Sequence, residues 1–334
     1  MSLRTKVLLS GIIILCILII CACAIVGFQV YQVNIHQYDR TSSQQFSLIE
    51  QTIMLFMQNN KNTVKMLAEH PTLRAADASI NNYTAATENV LLKNVPKGQS
   101  EQAMVTLFKR IHNGYPDTAE VFFGSKWGGF VSSWDDTVNA GFDPRKRIWY
   151  QLAQEAGGET IVTPAYMSTI GVPGICFSRQ VLSPAREFLG CVSVEVKLEQ
   201  LTSFIDSLKV GKTGYVMLFQ NDGAILADPM HHDLVFTKLD STGNQYLKHF
   251  QNIGTTAEVV TIDNAKWRLR VFSVDELGWK IAILVQNNEV LESFYRMVIS
   301  MVVVGTGMLM AFFWLIFWFS KRLKGYLRKI QLIF

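Results

Sequence analysis

Two stretches without a charged side chain, Val7 to Val30 and Val298 to Ser320, lie near the two ends of this 334-residue chain. Each exceeds the roughly 20 apolar residues that a helix needs to cross the hydrocarbon core of a bilayer. Both are therefore expected to be transmembrane helices. Lys and Arg collect on the cytoplasmic side of such spans. Arg4 and Lys6 precede the first, and Lys321, Arg322, Lys324, Arg328 and Lys329 follow the second. Both tails are thus expected on the cytoplasmic side of a membrane, with residues 31–297 on its extracytoplasmic side.

That division accounts for the charge. All 27 acids lie in the middle region, against 24 of the 31 cations. The overall charge of +4 belongs to the membrane flanks and gives no argument for nucleic acid as a partner. Ala22-Cys23-Ala24 resembles a cleavage or lipidation site, which would make the first run a signal peptide. Apolar residues continue through Val26, Phe28 and Val30 into helical sequence, so a retained anchor is the expectation. Of five cysteines, Cys16, Cys21 and Cys23 fall in the first run. Cys176 and Cys191 remain outside it, either bridged or as free thiols.

After the first span, Phe46, Ile49, Ile53, Phe56, Met57, Val64 and Leu67 recur at helical spacing, the stripe of a long amphipathic helix over 31–71. It should end near His70-Pro71, because the residue before proline is pushed out of the α region. Residues 75–118 read as mostly helical and polar, with loops at 94–98 and 112–116. Strands follow at 119–124 and 128–133, then an antiparallel hairpin of Gly174 to Leu182 and Leu189 to Leu198 around the turn Ser183-Pro184-Ala185-Arg186. A second strand-rich unit opens at Gly211-Lys212-Thr213-Gly214. Its strands are expected at Tyr215 to Phe219, Ala224 to Ala227, Ala257 to Ile262, Trp267 to Val274 and Trp279 to Val285, with a helix near 240–252. A helix over Asn288–Arg296 should lead into the second span.

Few motifs carry chemistry. Gly211-Lys212-Thr213 lacks the earlier glycine of a nucleotide-binding loop, since Asp206 stands there, and reads as a turn opening a strand. His231-His232-Asp233 has no further ligand at metal spacing and reads as a solvated loop. No hydrolase or metalloprotease signature is present, so no enzymatic activity, cofactor or metal is expected.

The hairpin is more informative, because strand side chains alternate between two faces. Val192, Val194, Val196 and Leu198 form an apolar face suited to packing on the long helix. Cys191, Ser193, Glu195 and Lys197 form the other, joined at matching parity by Cys176, Ser178 and Gln180. Between the strand pairs lies Asp143-Pro144-Arg145-Lys146-Arg147-Ile148-Trp149-Tyr150, three cations ahead of two aromatics. Such a cluster is either a surface loop with arginines over rings or a site where a guanidinium forks onto a carboxylate.

The octapeptide resembles the D-P-R-x-R-P-W-Y block of double Cache domains, the tandem PAS-like sensors outside the membrane in bacterial chemoreceptors, histidine kinases and diguanylate cyclases. Gly211-Lys212-Thr213-Gly214-Tyr215, Asn221-Asp222-Gly223 and Leu277-Gly278-Trp279-Lys280 resemble the second module of the same family, so the resemblance covers 31–297. It implies an α+β fold with a long N-terminal helix and two Cache modules built on antiparallel sheets. In the amino-acid-binding subset an arginine, a tryptophan and an upstream tyrosine hold the ligand carboxylate. Those positions fall on Arg147, Trp149 and, in place of the tyrosine, Phe142. Tyr150 and Tyr166 would face the amino group, and the aspartate that pairs with the ammonium falls on Glu195. Phe142 removes a hydroxyl donor, a loss of about 1.5–3 kcal/mol. Glu195 keeps the charge but adds a methylene.

These readings imply a cytoplasmic tail (1–6), a span (7–30), a long helix (31–71), a ligand-binding distal module (72–208) and a proximal module (209–290). A connecting helix (291–297), a second span (298–320) and the start of a signalling helix (321–334) follow; there Leu323, Leu327, Ile330 and Phe334 share a face. The expected function is a homodimeric receptor for a small molecule, an amino acid first, acting through a cytoplasmic signalling partner or a further output domain. A sensor for another amine or carboxylate, or an anchored module for a periplasmic protein, is the alternative.

Overall fold

The computed structural model describes residues 3–115, 120–168, 171–241, 250, 258–262 and 264–331. Helix α1 runs unbroken over Leu3–Glu69 and stops one residue before His70, whose side chain caps the short helix α2, Pro71–Arg74. Ile49, Ile53, Met57, Val64 and Leu67 of the α1 stripe are buried. Phe46 stacks on Phe272, and Phe56 on Phe204.

The segment after α2 departs from the expected helix. Only α3, Gln99–Gly114, is regular. Upstream, Asp77 accepts a hydrogen bond from the Ser79 amide at 2.9 Å, and Asn82 one from the Thr84 amide at 2.8 Å. Such side-chain bonds give the backbone an alternative to the helix. Strand β1, Val90–Leu91, and a 3-10 turn at Leu92–Asn94 complete the stretch.

The first large sheet is antiparallel and built from β2 (Glu120–Ser125), β3 (Phe130–Ser132), β5 (Ile161–Val162), β6 (Tyr166–Met167), β7 (Pro173–Leu182) and β8 (Phe188–Lys197). Its strand order is β3-β2-β8-β7-β5, with β6 also on β7; β4, Thr137–Val138, pairs with β1 in a separate ribbon. Helix α4, Ile148–Glu155, lies on β7 and β8, and α3 on β2 and β3. The hairpin register sets Cys176 opposite Glu195, Ser178 opposite Ser193 and Gln180 opposite Cys191. Cys176 and Cys191 are thus four residues apart along the ladder, about 13 Å at strand rise. A disulfide cannot reach that far, and both thiols are free.

Helix α5, Leu198–Ser207, buries Leu198, Leu201, Thr202 and Ile205 and contacts both sheets. The second sheet comprises β9 (Tyr215–Gln220), β10 (Ile225–Ala227), β11 (Glu258–Ile262), β12 (Ala265–Val274) and β13 (Trp279–Gln286), in the order β10-β9-β13-β12-β11. Gly211, at φ 60°, turns the chain into β9, as the turn reading of Gly211-Lys212-Thr213 expects. The Asn221-Asp222-Gly223 and Leu277-Gly278-Trp279-Lys280 motifs meet, the Asn221 amide donating to the Gly278 carbonyl at 3.0 Å. His231 pairs with Asp228. Of the helix expected near 240–252, only a 3-10 turn at Leu239–Ser241 and Phe250 are described; 242–249 and 251–252 lie outside the described residues.

Contacts divide the chain into Gln44–Val285 and a second unit made of Met1–Ser43 with Gln286–Phe334. In the latter, a short helix at Asn287–Val290 breaks at Leu291 before the helix Glu292–Gln331. Among the described residues one helical segment is long and apolar enough to cross a membrane, Phe294–Leu315, with mean hydropathy 2.2. The run Val7 to Val30 is helical, but the side chains of 1–12 lie outside the described residues. So do those of the C-terminal flank, including the basic residues, Leu323, Leu327 and Ile330; Phe334 is likewise outside them.

Candidate functional site

One face of the first sheet carries the polar residues that alternation predicts. Strand pairing sets Glu120 opposite Glu195, Phe122 opposite Ser193 and Gly124 opposite Cys191. Cys176, Ser178, Cys191, Ser193 and Glu195 are all buried, and the Ser178 and Ser193 hydroxyls share a hydrogen bond of 2.6 Å. The face is covered by the chain's own aromatics. Trp149 from α4 meets Phe122 edge-on at 4.8 Å, and Tyr150 meets Phe188 at 6.0 Å. Gly124 permits this approach, because a Cβ there would lie 2.7 Å from Pro144 and 2.8 Å from Trp149.

The three cations ahead of Trp149 separate by partner. Asp143 takes the Arg145 fork through Nε at 2.9 Å and Nη2 at 2.9 Å. That pairing holds the Asp143 carboxyl below its ordinary value. Lys146 is exposed. Arg147, at the N-cap of α4, is half-buried: Nη2 donates to the Met167 carbonyl at 3.1 Å, and the guanidinium lies 6.0 Å from the centre of the Tyr166 ring. Its Nε is buried without a hydrogen-bond partner.

Tyr166 links Arg147 to the acid. Its hydroxyl donates to Glu195 Oε2, while Glu195 Oε1 is buried without a partner. Arg147, Tyr166 and Glu195 therefore form one connected group. Trp149, Tyr150 and Phe142 belong to the surrounding aromatic cluster, where Phe142 packs edge-on to Phe130 at 4.8 Å. Tyr150 lies edge-on to both Trp149 and Phe188 in this cluster, and burial raises its hydroxyl above the ordinary value.

Sequence reasoning passed over Glu120. It is 4% exposed, opposes Glu195 across the β2–β8 ladder and accepts a hydrogen bond from the Ser132 hydroxyl. The signal was its parity with Phe122 and Gly124, which becomes legible only once β2 is paired with β8. Burial, and then the charge of Glu195, push the Glu120 carboxyl up to about 8. Burial pushes Glu195 up to about 7, against the Tyr166 hydrogen bond, the Arg147 and Lys197 charges and a smaller contribution from the Ser168 hydroxyl.

Both folded-state values lie above the ordinary 4.5. The stability they contribute is complete below that value and is lost as pH rises through about 7 and 8. The melting temperature of the ligand-free chain should fall as pH rises from about 4.5 to about 8 and level off above that. Glu120→Gln, which keeps an acceptor for Ser132, should make that fall shallower. An unchanged slope in Glu120→Gln contradicts a buried neutral acid at this position.

Comparison with known proteins adds the family context. The profile of the Cache domain family matches residues 35–294. Methyl-accepting chemotaxis protein McpB of Bacillus subtilis is 26% identical over 223 residues, 66% of this chain and 31% of McpB. McpG of Pseudomonas putida, another methyl-accepting chemotaxis protein, is 29% identical over 174 residues, 51% of this chain and 26% of McpG. The chain thus spans under one third of the length of either relative. The ligand-binding domain of the Pseudomonas fluorescens chemoreceptor CtaA, in complex with L-serine, superposes with a TM-score of 0.56 at 19% identity, covering 76% of this chain and 99% of that domain. The ligand-binding domain of the Pseudomonas aeruginosa amino acid chemoreceptor PctC, in complex with GABA, gives 0.55 at 22%, covering 75% and 100%. At these identities the likeness establishes the fold.

Proposed function

The chain belongs to the Cache domain family, and from that membership we propose that it is the sensory part of a chemoreceptor whose distal module, residues 72–208, binds an α-amino acid. The observation that carries this reading is a pair of buried polar atoms without partners and of opposite sense. Arg147 Nε is a donor and Glu195 Oε1 an acceptor, and Tyr166 connects the two residues. A buried polar group left unpaired costs about 1–3 kcal/mol, more if charged. A zwitterion satisfies both at once, its carboxylate on Arg147 and its ammonium on Glu195. An amine or a carboxylate alone satisfies one.

Trp149 and Phe142 would wall the carboxylate end with apolar surface, and Tyr166 would orient Glu195 toward the amino group. The arriving ammonium favours the ionised form of Glu195 against its burial. Tyr150 has a packing role in this account, under Trp149.

Two features support a signalling route. The Ala165 amide, next to Tyr166, bonds Gln220 Oε1 of β9 at 3.2 Å. Helix α5 follows directly on β8, which carries Glu195, and reaches β9 and β10 of the module at 209–290. A ligand that favours one setting of these contacts shifts the second module. The remainder of the proposal is a homodimer spanning the membrane at 7–30 and 298–320, with 31–297 outside and a cytoplasmic signalling partner or output domain. The test is calorimetry on the full chain in lipid nanodiscs with the proteinogenic amino acids, followed by the amine and acid counterparts of any binder.

A further inference from the structure

Apart from the Arg147–Glu195 group, the first sheet offers a second polar hollow at its other end. There the β7–β8 turn meets the end of α1 and the end of α2. The hollow has a volume of about 330 Å³ and is lined by Arg74, Arg179 and Arg186, with Glu69, Gln180 and Ser183 among its other residues. Three cations around one space repel each other unless opposite charge lies between them. Among the described residues none of the three forms an ion pair. Among the described lining residues Glu69 is the only acid, so two positive charges stand in excess.

The arginines are directed but not neutralised. Arg74 donates through Nε to the Leu182 carbonyl and through Nη2 to the Ser183 carbonyl, each at 3.2 Å. Arg179 Nη1 donates to Thr160 Oγ1 at 3.3 Å. Arg186 stands on left-handed backbone at φ 64°, rare for a side chain of this size. Its amide bonds the Ser183 carbonyl at 2.9 Å, and the Ser183 amide bonds the Glu187 carbonyl at 2.8 Å, which closes the turn. Three elements thus hold three guanidinium groups around one hollow, and their planar forks match carboxylate and phosphate oxygens.

We propose that this hollow is a second ligand site, for a compact oxyanion carrying two or more negative charges, a phosphate or a polycarboxylate. A zwitterion would leave the charge excess unanswered. The volume lies near the lower end for ligand pockets, which suits a small anion.

The experiment is a titration of the full chain, in nanodiscs of zwitterionic lipid, with inorganic phosphate and separately with citrate. Ionic strength is held constant with chloride, and binding is read by calorimetry and thermal melting. The expected result is saturable binding of at least one anion, and which of the two assigns the chemistry. Arg179→Ala and Arg186→Ala should each weaken it about tenfold or more. Arg186 is on an exposed turn, so its variant keeps the test valid should Arg179→Ala disturb the sheet. Absence of saturable binding by either anion, or binding that Arg186→Ala leaves unchanged, overturns the proposal.

Discussion

Arg147→Ala should weaken the proposed amino-acid binding by roughly thirty-fold to a few thousand-fold in calorimetry. Truncating one partner of a buried, hydrogen-bonded charge pair costs about 2–5 kcal/mol, and each 1.4 kcal/mol is about tenfold in affinity. The large effect is assigned to Arg147 because its Nε is buried and unanswered. Arg145, two residues earlier, spends its fork on Asp143. Arg145→Ala should therefore change affinity by only a few-fold, since its guanidinium is engaged by Asp143 and not left for a ligand. Arg147→Lys should recover part of the loss, since an ammonium restores the charge but not the bidentate geometry. The opposite ranking, with Arg145 the costlier loss, contradicts the assignment.

Gly190→Ala should be the most damaging single methyl in the distal module. A Cβ at Gly190 would stand 2.1 Å from the Gly124 carbonyl, 2.8 Å from the Phe123 ring and 2.9 Å from the Ser125 Cα. Two of these neighbours are backbone of strand β2, which lies between β3 and β8 and cannot move without breaking its pairing to β8. Overpacking of this kind costs about 3 kcal/mol or more, and the melting temperature should drop by roughly 6–12 °C. The damage reaches the site, because Gly124 is where Pro144 and Trp149 rest on the sheet. Thermal melting checks it: a drop no larger than that of an exposed substitution such as Lys146→Ala would show that β2 and β8 are not so closely apposed.

The legible part of this fold is the part governed by local periodicity. Alternation in the hairpin set Glu195 on the same face as Cys176 and Ser178, and the ladder has that register. The His70-Pro71 stop and the glycine turn before Tyr215 likewise follow from backbone restrictions that a sequence displays directly. The loops between 75 and 93 read as helix in the sequence because Asp77 and Asn82 act through hydrogen bonds to nearby amides, which residue counts along a helix do not register. Glu120 was passed over for a different reason. A single acid at the start of an apolar strand looks like a solvated end, and its opposition to Glu195 exists only after strands seventy residues apart have paired. The meeting of Arg74 with the Leu182 and Ser183 carbonyls is tertiary in the same way.

The central claim is that one zwitterion answers two unpaired groups of opposite sense, Arg147 Nε and Glu195 Oε1. It is tested most directly by titrating the full chain with a binding amino acid, then with the amine that lacks its carboxylate and the acid that lacks its amino group. The account predicts saturable binding of the amino acid and a loss of at least about tenfold for each counterpart, because each leaves Arg147 or Glu195 unanswered. Binding of no amino acid, or equal binding of the amine or the acid, contradicts it.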